Sequence, residues 1–108
     1  MEEGTRVDYY INMNKNHKKV AEIYQALGNP VRIAIVSALE KREVAREDLL
    51  NKVGVPAPNF SQHLSRLRRA NLVSLRRKDK KAYYRLSDPK VLMLRDTARE
   101  IYRRSSGE

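Results

Sequence analysis

Between Asn59 and Leu86 the chain carries nine Lys/Arg and a single acid, Asp79, so this stretch supplies +8 of the formal +10 at pH 7. Cationic groups at that density, interleaved with short polar side chains, do one kind of chemistry well: they neutralise and hydrogen-bond a polyanion. Asn59, Ser61, Gln62 and Ser65 have the short or amide side chains that read base edges, Gln62 suiting adenine. Arg66 and Arg69 reach either guanine or phosphate. Arg77, Lys78, Lys80 and Lys81, with Arg76 beside them, form a second cationic group suited to phosphates or a flanking minor groove, which gives affinity more than specificity. A merely solvated face usually mixes both signs, yet Asn59 to Ala70 holds three arginines and no acid. Nucleic acid is the partner this pattern favours.

Other chemistries find no residues to carry them. There is no cysteine, hence no disulfide framework, thiol switch or thiolate metal site. Of the two histidines, His17 reads as surface. His63 lies beside an apolar helical stripe, where a packed, hydrogen-bonded structural role is expected rather than a sensor. Asp88, Asp96 and Glu100 alternate with Arg95 and Arg99 at helical spacing, which suits ion pairs better than an oxygen-ligand metal site. No nucleophile–base pair, phosphate loop or paired carboxylate in an apolar setting occurs. The expectation is therefore no catalytic residue, no metal and no cofactor.

The cationic groups must be positioned by something, and the apolar periodicity says what. Residues 14–27 carry Val20, Ile23, Tyr24 and Leu27 at the spacing of an amphipathic helix that Gly28 ends. Asn29-Pro30 is an N-cap with proline at the first helical position, opening a second helix that is apolar most of the way round and hence central. A short helix over about 45–53 should stop at a left-handed Gly54. Pro56 and Pro58 frame the entry to a helix running to about Ala70, with Phe60, Leu64 and Leu67 inward. From Leu72 the period changes to two: Val73 and Leu75, then Ala82, Tyr84 and Leu86, describe a β-hairpin around the polar link 77–81. Tyr84 falls in the core register; Tyr83 must face the other way and either meet a phosphate or cover the hairpin. Ser87 or Asp88 caps a last helix with Val91, Leu94, Ala98 and Ile101 on one face.

The fold class expected is mainly α with a small β-hairpin, a winged helix–turn–helix with an additional helix at each end. The chain of 108 residues makes one domain: an N-terminal extension 1–13, the winged domain with terminal helices 14–103, and a flexible tail 104–108. The acidic start, Met1-Glu2-Glu3-Gly4, and the lack of any long apolar run predict neither a secretory leader nor a membrane span, so a cytoplasmic, nucleoid-associated location follows. Two apolar stripes, Val20/Ile23/Tyr24/Leu27 and Val91/Leu94/Ala98/Ile101, exceed what one small domain can cover, which predicts a homodimer with these residues at its interface.

Three segments, in order, resemble ArsR/SmtB-type transcriptional regulators. Leu27-Gly28-Asn29-Pro30-Val31-Arg32 looks like the L-x-[ND]-P-x-R opening of that family's second helix. Ser61-Gln62-His63-Leu64-Ser65-Arg66-Leu67-Arg68-Arg69-Ala70-Asn71-Leu72-Val73 is similar to its S-x-H-L-x-x-L-x-x-A-G-L-V recognition-helix signature, and 81–86 looks like its wing strand. The chain departs from the family in having Pro56-Ala57-Pro58 at the helix entry and Asn71 where glycine is usual. It also lacks the Cys-x-Cys sensor motif, with 44–49 in its place, and Asp96 lacks the histidine two residues on. The resemblance implies a dimeric DNA-binding regulator, a repressor on an inverted-repeat operator, without a metal sensor. An unidentified small-molecule effector is left open. The competing readings are a winged-helix protein coating DNA without sequence preference or binding structured RNA, and a protein-interaction winged domain.

Overall fold

The computed structural model describes residues 2–107, with side chains described from Lys15 onward. In chain order the elements are α1 (Glu2–Leu27), α2 (Pro30–Ala38), β1 (Val44–Ala45), α3 (Arg46–Val53), α4 (Ala57–Arg69), β2 (Val73–Lys78), β3 (Lys81–Leu86) and α5 (Val91–Ser106). This is the winged helix–turn–helix the pattern predicts: α3 and α4 are the helix–turn–helix pair and β2–β3 the wing.

Local chemistry sets the boundaries. Asn29 is extended (φ −155°, ψ 130°), and its side-chain oxygen accepts from the Val31 and Arg32 amides at 2.8 and 3.2 Å. Two of the amides that a helix start leaves unpaired are thereby satisfied. Gly54 closes α3 at φ 73°, its amide bonding Leu50 O at 2.9 Å. After α4, Asn71 takes φ 61°, the left-handed position where the family usually has glycine, and the Leu72 amide returns to Leu67 O at 3.0 Å. Asparagine is the next most tolerant residue there.

The core is one cluster with α4 at its centre. Phe60, Leu64 and Leu67 are buried in one cluster with Ile35 and Val36 of α2, Leu39 that follows it, Leu49 of α3, and Val44, Val73 and Tyr84 of the sheet. The recognition helix is thus held by a buried stripe, and its polar residues point elsewhere. Arg95 fixes α5 to the end of α2: its guanidinium donates to Ser37 Oγ and Glu40 Oε1, each at 3.0 Å, and pairs with Asp96 at 2.8 Å. Asp96 also pairs with Arg99 and Glu100 with Arg104, so these acids form ion pairs, as expected from their spacing.

The structure departs from the sequence reading in five places. α1 runs unbroken from Glu2, so the segment assigned as an N-terminal extension continues the helix; residues 5–27 contain no glycine or proline to stop it. α5 continues to Ser106 and is closed by Gly107 at φ 77°, so most of the assigned tail is helix. A third strand, β1, pairs with β3 (Val44↔Tyr84, Ala45↔Tyr83), making an antiparallel sheet of order β1-β3-β2. Two residues carry no readable period, and pairing across the chain creates the strand. The wing turn is only Asp79-Lys80, both left-handed (φ 52° and 68°), so Arg77, Lys78 and Lys81 belong to the strands. That is the two-residue turn whose twist matches a hairpin. Finally neither Ser87 nor Asp88 caps α5, whose start after Lys90 has no side-chain cap: Asp88 accepts from the Lys90 amide at 2.9 Å in the turn before the helix, and the Ser87 hydroxyl pairs with that of Ser74 at 2.7 Å.

Candidate nucleic-acid interface

Along α4 the residues not in the core divide into two sides. Gln62, Ser65, Arg66 and Arg69 are related by spacings of three and four residues (62/65, 62/66, 65/69, 66/69) and line a common cavity with Arg32 and His63. Asn59 and Ser61 are exposed nearer the start of the helix. Arg66, Arg68 and Arg69 enter no ion pair among the described residues, and neither do Arg77, Lys78, Lys80 and Lys81 of the wing. Seven cations on adjacent elements are therefore uncompensated, the arrangement that favours a phosphate backbone over bulk water.

Two assigned contact residues turn out to be engaged already. Arg76 donates from Nε and a terminal nitrogen to both oxygens of Glu43, each at 2.7 Å. Its guanidinium also lies 4.9 Å from the Tyr83 ring centroid. This two-bonded pair takes Arg76 out of the free wing cations and makes it a brace between the wing and the loop before β1. It also decides the role of Tyr83, which covers the wing beneath Arg76. Ser61 accepts a hydrogen bond from Arg46. Its own O–H remains free to donate.

Arg46 is the residue sequence reasoning missed. It opens α3, its guanidinium lies 5.3 Å from the Phe60 ring centroid, and it holds Ser61. With Arg77, Lys80 and Lys81 it lines a cleft of about 300 Å³ between α3 and the wing. The available signal was a cation at the first position of a helix, where the macrodipole disfavours one and Glu47 and Asp48 follow.

His63 is packed and hydrogen-bonded, as expected. Arg32 reaches it at 3.1 Å while also donating to Ala26 O at 2.6 Å and Gln25 O at 3.2 Å. Arg32 thus satisfies carbonyls at the end of α1 and braces α4 at once. Burial, then repulsion from Arg66, holds its guanidinium below the usual arginine range.

The Glu43 carboxylate is held below the usual glutamate range by the hydrogen bond from Arg76, against a smaller opposing effect of burial and with help from the charges of Arg76 and Arg85. A depressed folded value means the stabilisation is present above the unfolded value, about 4.3, and is lost as pH falls through the folded one. Wild type should therefore exceed Glu43→Gln in urea midpoint at neutral pH, with the gap closing on acidification below about 4.3. A gap independent of pH would disprove the brace.

Of the residues assigned to a dimer interface, Leu27 and Val91 are buried in the chain's own core, Ile23 and Leu94 are half-buried, and Val20, Tyr24, Ala98 and Ile101 are exposed. The first two are corrected to core positions: the α1–α2 turn and the α5 entry fold over them. Tyr24, Leu27, Ile33, Leu94 and Ala98 line an apolar groove of about 270 Å³ between α1, α2 and α5. Among the described residues there is no cluster of three metal-ligating side chains, and no helix is long and apolar enough to cross a membrane.

Comparison with known proteins gives a consistent result. A family model described as a helix-turn-helix domain matches residues 21–76. KmtR, an HTH-type transcriptional regulator of Mycobacterium tuberculosis, is 39% identical over 75 residues, which span 69% of this chain and 58% of KmtR. The biofilm growth-associated repressor of Xylella fastidiosa is 34% identical over 83 residues, 77% of this chain and 73% of the relative. The homodimeric winged helix-turn-helix DNA-binding domain of Mb0332 from Mycobacterium bovis superposes with a TM-score of 0.73 at 27% identity, covering 84% of this chain and 90% of that one.

Proposed function

Since the chain belongs to the ArsR/SmtB-type winged helix–turn–helix transcriptional regulators, we propose that it is a site-specific repressor that binds double-stranded DNA as a homodimer. The observation that carries this is the row of uncompensated cations on α4 and the wing, set on a helix whose other side is locked into the core. Asn59, Gln62 and Ser65 read base edges, with the Ser61 hydroxyl held by Arg46. Arg66 and Arg69 join them on α4. Arg77, Lys78, Lys80 and Lys81 take phosphates beside the groove.

The homodimer rests on the exposed apolar residues of α1 and α5, and the homodimeric Mb0332 domain supports it. Two recognition helices related by a two-fold axis about 34 Å apart match an inverted repeat with half-sites one turn apart. Repression is steric: the dimer covers the promoter. The chain works without a metal sensor, since the Cys-x-Cys motif and the histidine partner of Asp96 are both missing from the sequence. Its place of work is the cytoplasm, at the nucleoid.

The test is binding to the DNA upstream of its own coding region against a scrambled duplex, across a salt series with competitor. Preference for the native fragment by orders of magnitude, with protection over an inverted repeat, is expected. Replacing Arg77, Lys78, Lys80 and Lys81 by glutamine should lower the log–log salt slope by roughly 3.6, at about 0.9 per phosphate contact, and leave sequence preference intact. Gln62→Ala with Arg66→Ala should instead relax the preference. Equal binding to every sequence would favour an architectural protein coating DNA.

A further inference from the structure

The cavity flanking α4 is lined, among the described residues, entirely by hydrogen-bonding side chains. It measures about 290 Å³, and its lining, Arg32, Gln62, His63, Ser65, Arg66 and Arg69, includes no acid. We propose that this cavity is an oxyanion seat that binds a phosphate group, with Arg32 and His63 as one wall and Gln62, Ser65, Arg66 and Arg69 as the other.

The donor count supports it. A guanidinium has five N–H groups in a fixed fork. Arg32 uses three of them, on Ala26 O, Gln25 O and His63 Nδ1, and so is held rigidly with two N–H groups to spare. Arginine can only donate, so His63 Nδ1 accepts and the ring proton sits on Nε2, which has no partner among the described residues. Ser65 and Gln62 add a hydroxyl and an amide donor, and Arg66 and Arg69 add two further forks. Three guanidiniums therefore surround one space without a carboxylate partner among the described residues. Burial and then the charge of Arg66 act against the Arg32 guanidinium, and an anion between the two would offset the repulsion. Planar forks recognise tetrahedral oxyanions by paired hydrogen bonds, and prior orientation of Arg32 and His63 lowers the entropy lost on binding.

The seat shares Gln62, Ser65, Arg66 and Arg69 with the DNA-reading side of α4 and rests on the DNA-binding reading to this extent: the phosphate is either a backbone phosphate of the duplex or a free phosphate ion that leaves when α4 engages bases. The experiment follows the His63 ring signals by NMR in the DNA-free protein, titrating inorganic phosphate against chloride at equal ionic strength, with exposed His17 as internal reference. A saturable His63 shift absent from His17 and from the chloride series is expected. Arg66→Gln with Arg69→Gln should weaken it about tenfold or more while leaving the fold intact by circular dichroism. Repeating the titration with duplex present separates the sources: a His63 shift that the duplex alone reproduces assigns the seat to a backbone phosphate, and a phosphate-induced shift that the duplex reverses assigns it to the free ion. A His63 response that is linear, equal in chloride, or unchanged in the double variant overturns the seat. Because the first arm contains no DNA, failure of the regulator reading would leave it standing.

Discussion

Tyr24→Glu combined with Ile101→Glu is expected to convert the proposed dimer to a monomer and to weaken operator binding by about two to four orders of magnitude. Both side chains are more than half exposed in the isolated chain, 57% and 61%, so each carboxylate is hydrated in the monomer and the fold should persist. In a dimer the same carboxylates would be buried in an apolar contact, where an unpaired charge is strongly unfavourable. The loss in affinity follows because two half-sites are no longer engaged by one linked body; contacts within a half-site are untouched. Sedimentation velocity reads the assembly and fluorescence anisotropy on the operator duplex reads the affinity. A variant that stays dimeric would move the interface away from α1 and α5. A monomer that binds as tightly as wild type would dismiss the two-half-site model.

Phe60→Ala is expected to destabilise the fold by about 3–5 kcal/mol, a large part of the roughly 5–15 kcal/mol available to a domain. Phe60 is completely buried and the first residue of the stripe that seats α4. It also supports the Arg46 guanidinium, so its removal opens a cavity under the recognition helix and frees the group that holds Ser61. Urea denaturation measures the first effect. A double-mutant cycle with Arg46→Ala isolates the stacking contribution, expected at about 0.5–1 kcal/mol. A loss below about 1 kcal/mol for Phe60→Ala would mean that α4 is held by other contacts.

What was legible in the sequence was whatever local chemistry decides. Asn29-Pro30, Gly54 and Asn71 mark helix boundaries because their backbone needs are intrinsic, and each takes the expected role. The Phe60/Leu64/Leu67 stripe and the Tyr84 register were readable because burial imposes a period. The illegible parts depend on residues far apart in the chain. β1 exists only through Tyr83 and Tyr84, some forty residues later. Glu43 and Arg76, 33 apart, make the brace that withdraws a wing cation, and Arg32 meets His63 across 31 residues. The candidate site shows the same division. The sequence identifies which residues are cationic, and tertiary packing decides which of them remain free.

The wing turn carries a further consequence. Lys80 adopts φ 68° between two strands, a conformation that glycine takes without steric penalty and that an L-residue with a side chain takes at about 1–2 kcal/mol. A glycine would give a firmer hairpin, but it would remove a cation from the tip. The chain thus keeps a charge at the tip of its hairpin at the expense of rigidity. Lys80→Gly should therefore raise thermal endurance while weakening attraction to a polyanion, and a variant library screened for heat resistance alone would drift toward a wing that is sturdier and holds its proposed target less well.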